Sequence, residues 1–327
     1  MKTVAAAILA AAGFGALQEQ TVKLGTLAPE GSAWHEIIRD MAEDWKKASG
    51  GKVSFRIFAG GAIGDEPDMV RKMRIGQLHA AALTGVGLSE IAPEILGVQL
   101  PLLVRTYEEL DAVMERLAPR FEKILLEKGY TVLNWGDAGW VHFFAQKPVV
   151  TIDDLRAQKL FIWAGSDPAA GVWKDAGVQV VPLQSTDILP SLQSGLINAY
   201  STTPLAALSF QWFGLAKNMT AMRWAPLIGA TVITNKAWAK VPEGQKPVLL
   251  AAAKKSGARL KEETRKLGDK AVELMKERGL VVHEVPAAAM AEWERLASGA
   301  WPKIGGVPKD LLDEIRKTLD EHRAKTK

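Results

Sequence analysis

Residues 21–58, TVKLGTLAPEGSAWHEIIRDMAEDWKKASGGKVSFRIF, contain the pattern that decides the fold. The residues before Pro29 alternate as in a strand, and residues 53–58 form a second alternating run. Between these runs Ser32 is placed as an N-cap, and Gly50 and Gly51 end the helix that it starts. The apolar stripe of this helix consists of Ile37, Ile38, Met41 and Trp45. The stretch therefore predicts a β-α-β unit.

The same alternation of strand and helix continues along the chain. A glycine-rich turn, a short helix ending near Gly76 and a strand of small residues give a β-α-β-α-β order, which indicates a parallel sheet with helices on its faces. Separate strands are predicted at residues 130–135 and 140–146. A second α/β unit extends from about Gly139 to Leu227, with a helix over residues 203–214. A returning strand, a long helix from Pro242 to Gly279 and a helical C-terminal part follow.

The N-terminus and the absence of cysteine indicate an exported chain. Lys2 precedes an apolar run and small residues, which predicts a secretory signal peptide over residues 1–18. A buried N-terminal helix is the alternative, but this stretch has no amphipathic pattern. No later segment has about 18 apolar residues without a charge, so we expect a soluble mature protein. The chain has no cysteine, which excludes disulfides, thiolate metal sites, Cys nucleophiles and a lipid-anchor cysteine.

Composition and motifs argue against nucleic-acid binding and catalysis. The net charge is +4 and no dense Lys/Arg block is present. The five histidines are scattered, with no paired metal-binding spacing. The loop GGAIGD at residues 60–65 lacks the glycine spacing of a phosphate-binding turn. Its acidic neighbours fit a helix start that faces solvent, and Asp65 is expected to face a cleft. We therefore predict no cofactor, no metal and no enzymatic activity.

Tryptophan is the unusual residue type, with eleven in the chain. Its side chain is enriched both in cores and in binding pockets. Core packing is predicted for Trp45, Trp238, Trp293 and Trp301. Positions near element ends, where ligands bind in open α/β sheets, are predicted for Trp34, Trp135, Trp140, Trp163, Trp212 and Trp224.

Six ordered segments resemble the solute-receptor subunits of TRAP transporters, the DctP-like family. They are KLGTLAPEGSAWHE (23–36), ASGGKVSFRIFAGGAIGDEPDMVRKMRIGQLHAA (48–81), APEILGVQLPLL (92–103), KPVVTIDDLRAQKL (147–160), VVPLQSTDILPSLQSGLINA (180–199) and ATVITNKAWAKVPEGQKPVLLAAAKKSGARLKEE (230–263). The resemblance implies an α/β, two-lobed periplasmic binding protein fold with a long helix spanning both lobes. It also implies hinged closure around a ligand and delivery of that ligand to TRAP membrane permease subunits.

The resemblance places the lobes along the chain. Lobe I is expected to comprise residues 19–138 and 229–265. Lobe II is expected to comprise residues 139–228 and 266–327, including the C-terminal helices. The long helix crosses from one lobe to the other.

The sequence departs from the family where a ligand carboxylate is usually bound. In DDLRAQKLFIW (153–163) Phe161 occupies the place of the usual Arg, and in GWVHFF (139–144) Val141 occupies that of a second Arg. Thr202 or Thr203 replaces an Asn, and Ser185 or Gln184 replaces an aromatic residue. The remaining ligand-binding positions are expected at Thr26, Trp34, Asp65, Thr84, Gly85, Trp140, Trp163 and Trp212.

These departures predict a hydrophobic or aromatic ligand. Neither Phe nor Val can imitate a bidentate Arg–carboxylate pair, and an unpaired dicarboxylate would be costly to desolvate. Phe161 and Trp163 are expected on the cleft side of their strand, and Ile162 on the other side. This pattern resembles the TRAP subset that works with a TPR-type partner protein. The alternatives are an ordinary organic-acid receptor that uses Arg105 or Arg223, and an exported enzyme on the same fold.

Overall fold

A computed structural model describes residues 19–164 and 167–325, with nothing stated for the side chains of residues 167–169. The predicted signal peptide, residues 1–18, and the turn residues Gly165 and Ser166 lie outside the described residues. The elements of the first part of the chain are β1 Gln20–Thr26, α1 Ala33–Ala48, β2 Val53–Phe58, α2 Glu66–Arg74, β3 Ala80–Thr84, α3 Gly85–Ser89, α4 Tyr107–Glu127 and β4 Tyr130–Ala145.

The second part of the chain is described in the same way. Its elements up to Thr234 are α5 Ile152–Arg156, β5 Lys159–Trp163, α6 Asp167–Asp175, β6 Gln179–Leu183, α7 Ile188–Ser194, β7 Ala199–Thr202, α8 Pro204–Ser209, β8 Asn218–Thr220 and β9 Ala225–Thr234. The remaining elements are α9 Asn235–Trp238, α10 Lys246–Glu277, β10 Val281–His283, α11 Ala287–Ala300 and α12 Lys309–Lys325.

Local sequence signals start the helices where they were predicted. The Ser32 hydroxyl accepts a hydrogen bond from the His35 amide at the start of α1, as expected of an N-cap. Thr203 caps α8 in the same way, and Pro204 follows at the first helical position. In α1 the apolar stripe is buried, with Trp45 fully inaccessible. The helices therefore lie on the sheet by the faces that the sequence indicates.

The strands of the described residues form one twisted path in the order β2-β1-β3-β9-β4-β7-β5-β6, with β8 beside β4 and β10 beside β8. Strand β1 is parallel to β2 and β3, and β5 is parallel to β6 and β7, which confirms the two predicted α/β units. Strand β9 returns antiparallel between β3 and β4.

The prediction of two separate strands around residue 138 is wrong, because β4 is one strand of 16 residues. Its first part pairs with β9 and its last part with β7 and β8, so it belongs to both lobes. Register shifts between Val132 and Asn134 and between Asp137 and Gly139 let the strand bend without ending. The predicted helix over residues 203–214 is also shorter, because Gln211 adopts a φ of 60° after α8.

The long helix joins the two lobes. Helix α10 has 32 residues and packs against α1 in the first lobe, against β4, and against α8 in the second lobe. The fold is thus a two-lobed α/β fold with a helix spanning both lobes, and the residue boundaries of the lobes stay predictions. No helix in residues 19–164 and 167–325 is both long and apolar enough to cross a membrane.

Candidate functional site

A cavity of about 140 Å³ lies between the two lobes. Its wall contains the last residues of two pairs of parallel strands, namely Thr26 of β1 and Thr84 of β3 in the first lobe and Trp163 of β5 and Thr202 of β7 in the second. Ligands of open α/β sheets bind beyond the carboxyl ends of strands, where loops and side chains can converge. We call this space the central cavity.

The structure brings most of the predicted site residues together around the central cavity. The predicted residues in its wall are Thr26, Trp34, Thr84, Trp163, Ser185, Thr202, Thr203 and Trp212. Residues from both lobes are therefore present, as a ligand held between lobes would require. Whether these residues contact a ligand stays a prediction.

Packing fixes the aromatic part of the wall. The Trp34 indole N–H donates to the Thr264 hydroxyl of α10 over 3.1 Å. The Trp212 ring stacks on Phe210 at 4.6 Å between ring centroids and meets Tyr200 edge-on at 5.5 Å. These contacts hold the rings in place without a ligand, so the cavity is pre-organised.

Glu66 is a buried carboxylate in this wall, and all its hydrogen bonds are internal. One oxygen accepts from the Thr84 amide at 2.8 Å, and the other accepts from the Thr84 hydroxyl at 2.8 Å and the Gly87 amide at 2.7 Å. Burial raises the pKa of Glu66 to about 7, although these hydrogen bonds act in the opposite direction. Glu66 thus ties α2 to the start of α3 and shapes the cavity.

Asp137 is the second buried acid in the wall, on the bent part of β4. Its Oδ2 accepts hydrogen bonds from Nε and Nη2 of Arg265 at 3.0 and 2.8 Å. Arg265 also holds Asp111 of α4 with two hydrogen bonds of 2.7 and 2.9 Å, so one guanidinium serves two carboxylates. Burial raises the pKa of Asp137, and the charge of Arg265 opposes this shift. Asp137 Oδ1 has no hydrogen-bond partner among the described residues.

A direct hydrogen bond joins the lobes beside the cavity. Asp65 accepts from the Glu66 amide with Oδ1 at 2.7 Å, which caps α2, and from the Ser185 amide with Oδ2 at 2.5 Å. Asp65 and Ser185 are both buried and lie 120 positions apart in sequence. Asp65 therefore does not form part of the wall; it links α2 to the segment after β6, beside the cavity.

Val141 and Phe161, the two positions predicted to replace arginines, lie in a different place. Both line a second cavity of about 470 Å³; of the described residues, it shares only Trp163 and Leu227 with the wall of the central cavity. Phe161 is almost fully buried and its ring meets Trp163 edge-on at 5.0 Å between centroids. Ile162 packs in a separate apolar cluster, in agreement with the predicted alternation. A role of Phe161 in ligand binding stays a prediction.

The structure does not bring Trp140 and Gly85 into the wall of the central cavity. Trp140 is buried in the core of the first lobe, against the Tyr107 ring at 5.4 Å. Gly85 starts α3, and the Gln99 side chain occupies the space that a Cβ would need. Gln99 in turn accepts from the Ile228 amide at 3.0 Å. Both positions therefore have packing roles that sequence reasoning missed.

Sequence reasoning also missed the two buried acids. The expectation that the acids at the start of α2 face solvent is wrong for Glu66, which is 1% exposed. The expectation of a solvent-facing acid holds better for Asp68, which pairs with Arg71. The sequence around Asp137 does not indicate a buried acid, because Arg265, which binds it, and Asp111, which shares that arginine, are distant in sequence.

Within the described residues, the wall of the central cavity contains neither lysine nor arginine. Arg105 is exposed and pairs with Glu294. Arg223 is exposed and lies over the Trp140 ring at 5.6 Å. The structure therefore does not place either arginine of the organic-acid alternative at the cavity. The same residues contain no group of three or more metal-ligating His, Cys, Asp or Glu side chains.

Comparison with known proteins agrees with this architecture. Residues 24–305 match the family model of the bacterial extracellular solute-binding proteins, family 7, also called DctP. The chain belongs to this family. A solute-binding protein of Sulfitobacter sp. strain NAS-14.1 is 25% identical over 320 residues, which is 96% of each chain.

Two solved structures share the fold. A TRAP periplasmic solute-binding protein from Xanthobacter autotrophicus Py2 with bound β-D-galacturonate has a TM-score of 0.85 and 19% identity, covering 91% of this chain and 99% of that one. The sugar acid binding protein from Advenella mimigardefordensis strain DPN7T, in complex with galactonate, has a TM-score of 0.87 and 17% identity, covering 93% and 99%.

These comparisons confirm the predicted family and the periplasmic binding protein fold. They also confirm the predicted class of protein, a solute receptor and not an enzyme. The DctP-type chain is therefore a solute receptor. The similar proteins carry organic acids, which does not support the expected hydrophobic ligand. The comparisons also lend no support to a TPR-type partner.

Proposed function

We propose that this DctP-type chain is the periplasmic receptor of a TRAP transporter, which binds a small organic acid in the central cavity and delivers it to membrane permease subunits. The observation that carries the proposal is the pre-organised cavity at the strand ends, which is lined from both lobes and lies beside the Asp65–Ser185 hydrogen bond that joins them. Such a space encloses a ligand only when the lobes are together, as receptor function by hinged closure requires.

The class of ligand is inferred from the similar proteins and from the size of the cavity. The two structures described above hold galacturonate and galactonate, both small polar acids. A cavity of about 140 Å³ is small for a ligand site, which argues against a long lipid chain. These observations favour the organic-acid alternative over the hydrophobic ligand.

A carboxylate in this cavity would be held by neutral donors in place of an arginine. The wall contains Thr26 and Thr202, whose hydroxyls can donate hydrogen bonds. Hydrogen bonds from neutral groups to a carboxylate are charge-assisted and therefore stronger than neutral pairs. We expect weaker binding of a dicarboxylate than of a hydroxylated monocarboxylate, because a second charge would lack a partner.

A hydrophobic or aromatic ligand is the second candidate. The specific observation in its favour is that the wall combines Trp34, Trp163, Phe210 and Trp212 with no basic residue among those described. Aromatic faces bind apolar rings well, and no ion pair would then be needed.

Thermal shift measurements distinguish the two candidates. The purified mature chain is heated with galacturonate, galactonate, malate, succinate, hydrophobic acids, aromatic acids and lipids. A ligand at 100 times its Kd stabilises the fold by about 2.7 kcal/mol, which is readily measured. We expect shifts with hydroxylated acids. Shifts restricted to apolar compounds would favour the second candidate. Native mass spectrometry of the purified protein is the control, because it detects a ligand that is already bound.

A further inference from the structure

The second cavity, which Val141 and Phe161 line, has the size of a ligand site. Its volume of about 470 Å³ lies within the range of about 300–1,000 Å³ that is usual for small-molecule sites. Helix α3 and residues 93–96 line it from the first lobe, and β5 and α6 line it from the second. Because its described lining overlaps that of the central cavity only at Trp163 and Leu227, it is a space with walls of its own.

Apolar side chains that stay partly exposed surround the second cavity. They are Val86, Leu96, Val141, Trp163, Val172 and Ile304. A ligand that covers such carbon surface removes it from water, which is the main favourable contribution to the binding of apolar molecules. The lining therefore favours an apolar ligand.

Aromatic rings form the wall of the second cavity in the second lobe. Trp163 meets Phe161 edge-on at 5.0 Å between centroids, and the rings of Trp173 and Trp224 lie 5.5 Å apart. Phe143 packs against both Trp173 and Trp224, so these rings are held in place without a ligand. Aromatic side chains bind a further ring in edge-to-face or offset-stacked contacts. The wall therefore favours a ring over a flexible chain.

The lining offers no partner for an anion. Among its described residues Glu90 is the only ionisable one, and it is exposed. The Ser89 hydroxyl donates to the Val86 carbonyl at 2.7 Å, and the Gln99 side chain accepts from the Ile228 amide at 3.0 Å, so these polar groups are used internally. A carboxylate in this space would lose water without gaining an ion pair, and Glu90 would repel it. An uncharged ring meets neither cost.

We propose that the second cavity binds an uncharged aromatic ring compound, in a site beside the acid site of the central cavity. Because both lobes line this site, the bound ring stabilises the arrangement in which the lobes are together. The ring site does not depend on acid binding in the central cavity.

The test uses fluoroindole, an uncharged ring whose fluorine NMR signal broadens when it binds to a protein. Titration calorimetry then compares the Kd of indole with that of indoleacetate, which has the same ring and a carboxylate. We expect wild type to bind indole at least about tenfold more tightly. Tighter binding of indoleacetate, or a fluorine signal that does not broaden, would overturn the inference.

Val172→Trp and Val86→Trp fill the second cavity from opposite lobes. Each should weaken fluoroindole binding at least about tenfold, because the new ring takes the space of the ligand. Two positions keep the test valid if one variant does not fold. Val248→Trp is the matched control, since Val248 is 48% exposed on α10 and lines neither cavity. It should bind fluoroindole as wild type does, and equal binding in all three variants would overturn the inference.

Leu27→Trp distinguishes the second cavity from the central one, because Leu27 lines only the central cavity. This variant should keep fluoroindole binding and lose affinity for the acids of the proposed function. Loss of fluoroindole binding in Leu27→Trp but not in Val172→Trp would locate the ring in the central cavity and overturn the inference. A wild type that binds fluoroindole in the second cavity and binds no acid would contradict the proposed function alone.

Discussion

Single buried ionisable residues make the stability of this receptor depend on pH in opposite directions. Burial raises the pKa of Glu66 to about 7 and lowers that of His142 to about 4. Between pH 4.5 and 7 the folded state therefore retains a proton on Glu66 that the unfolded state has lost, so stability falls as pH rises. Between pH 4 and 6.5 only the unfolded state protonates His142, so stability falls as pH decreases.

Glu66→Gln should remove the first of these dependences. We expect the free energy of unfolding of wild type, minus that of the variant, to fall by about 3 kcal/mol between pH 4.5 and 7. Urea unfolding of the ligand-free protein at successive pH values measures this difference. His142→Asn is the control. The free energy of unfolding of wild type, minus that of this variant, should increase from pH 4 to 6.5, which is the opposite trend. A difference for Glu66→Gln that stays constant would contradict the prediction.

At the scale of elements, strand β4 shows why part of the fold could be predicted and part could not. The strands flanked by helices carry periodic apolar patterns, so β1, β2, β3, β5 and β6 were found from sequence. In β4 the residues Gly136, Asp137 and Gly139 interrupt the pattern and resemble a turn. Pairing with β9 on both sides of the bulge keeps the strand continuous, and that pairing is a tertiary contact that no local pattern reveals.

Gly139→Ala should destabilise the protein through the backbone of β4. Gly139 has a φ of 101°, which L-residues rarely adopt, whereas an added Cβ would meet Thr203 only at ordinary distances of 3.7 Å or more. We expect a loss of about 1–3 kcal/mol in the free energy of unfolding, measured by urea denaturation. Gly268→Ala is the control, because a Cβ there meets nothing within 4 Å and the residue lies inside helix α10. That variant should be neutral or slightly stabilised.

At the scale of the whole molecule, the cavity exists because distant segments meet. The strand ends that form its wall were predictable, since the parallel strands of each lobe present their carboxyl ends on one edge. The hydrogen bond between Asp65 and Ser185 and the bridge from Arg265 to Asp137 were not, because they depend on how the lobes and α10 pack. The replacement of two arginines predicted an apolar ligand; Val141 and Phe161 line the second cavity, and their contact with a ligand stays a prediction. Position within the cleft, and not residue type alone, decides what such replacements mean.

Asp65→Ser should weaken closure of the lobes while keeping helix α2 capped. Serine is a good N-cap but is too short to reach the Ser185 amide as well, so only the interlobe hydrogen bond is lost. We expect a larger radius of gyration of the ligand-free variant in small-angle X-ray scattering, and up to about tenfold weaker ligand binding. Asp68→Ser, in the same first turn of α2 and paired only locally with Arg71, is the matched control. Scattering and affinity equal to wild type in Asp65→Ser would show that this contact does not hold the lobes together.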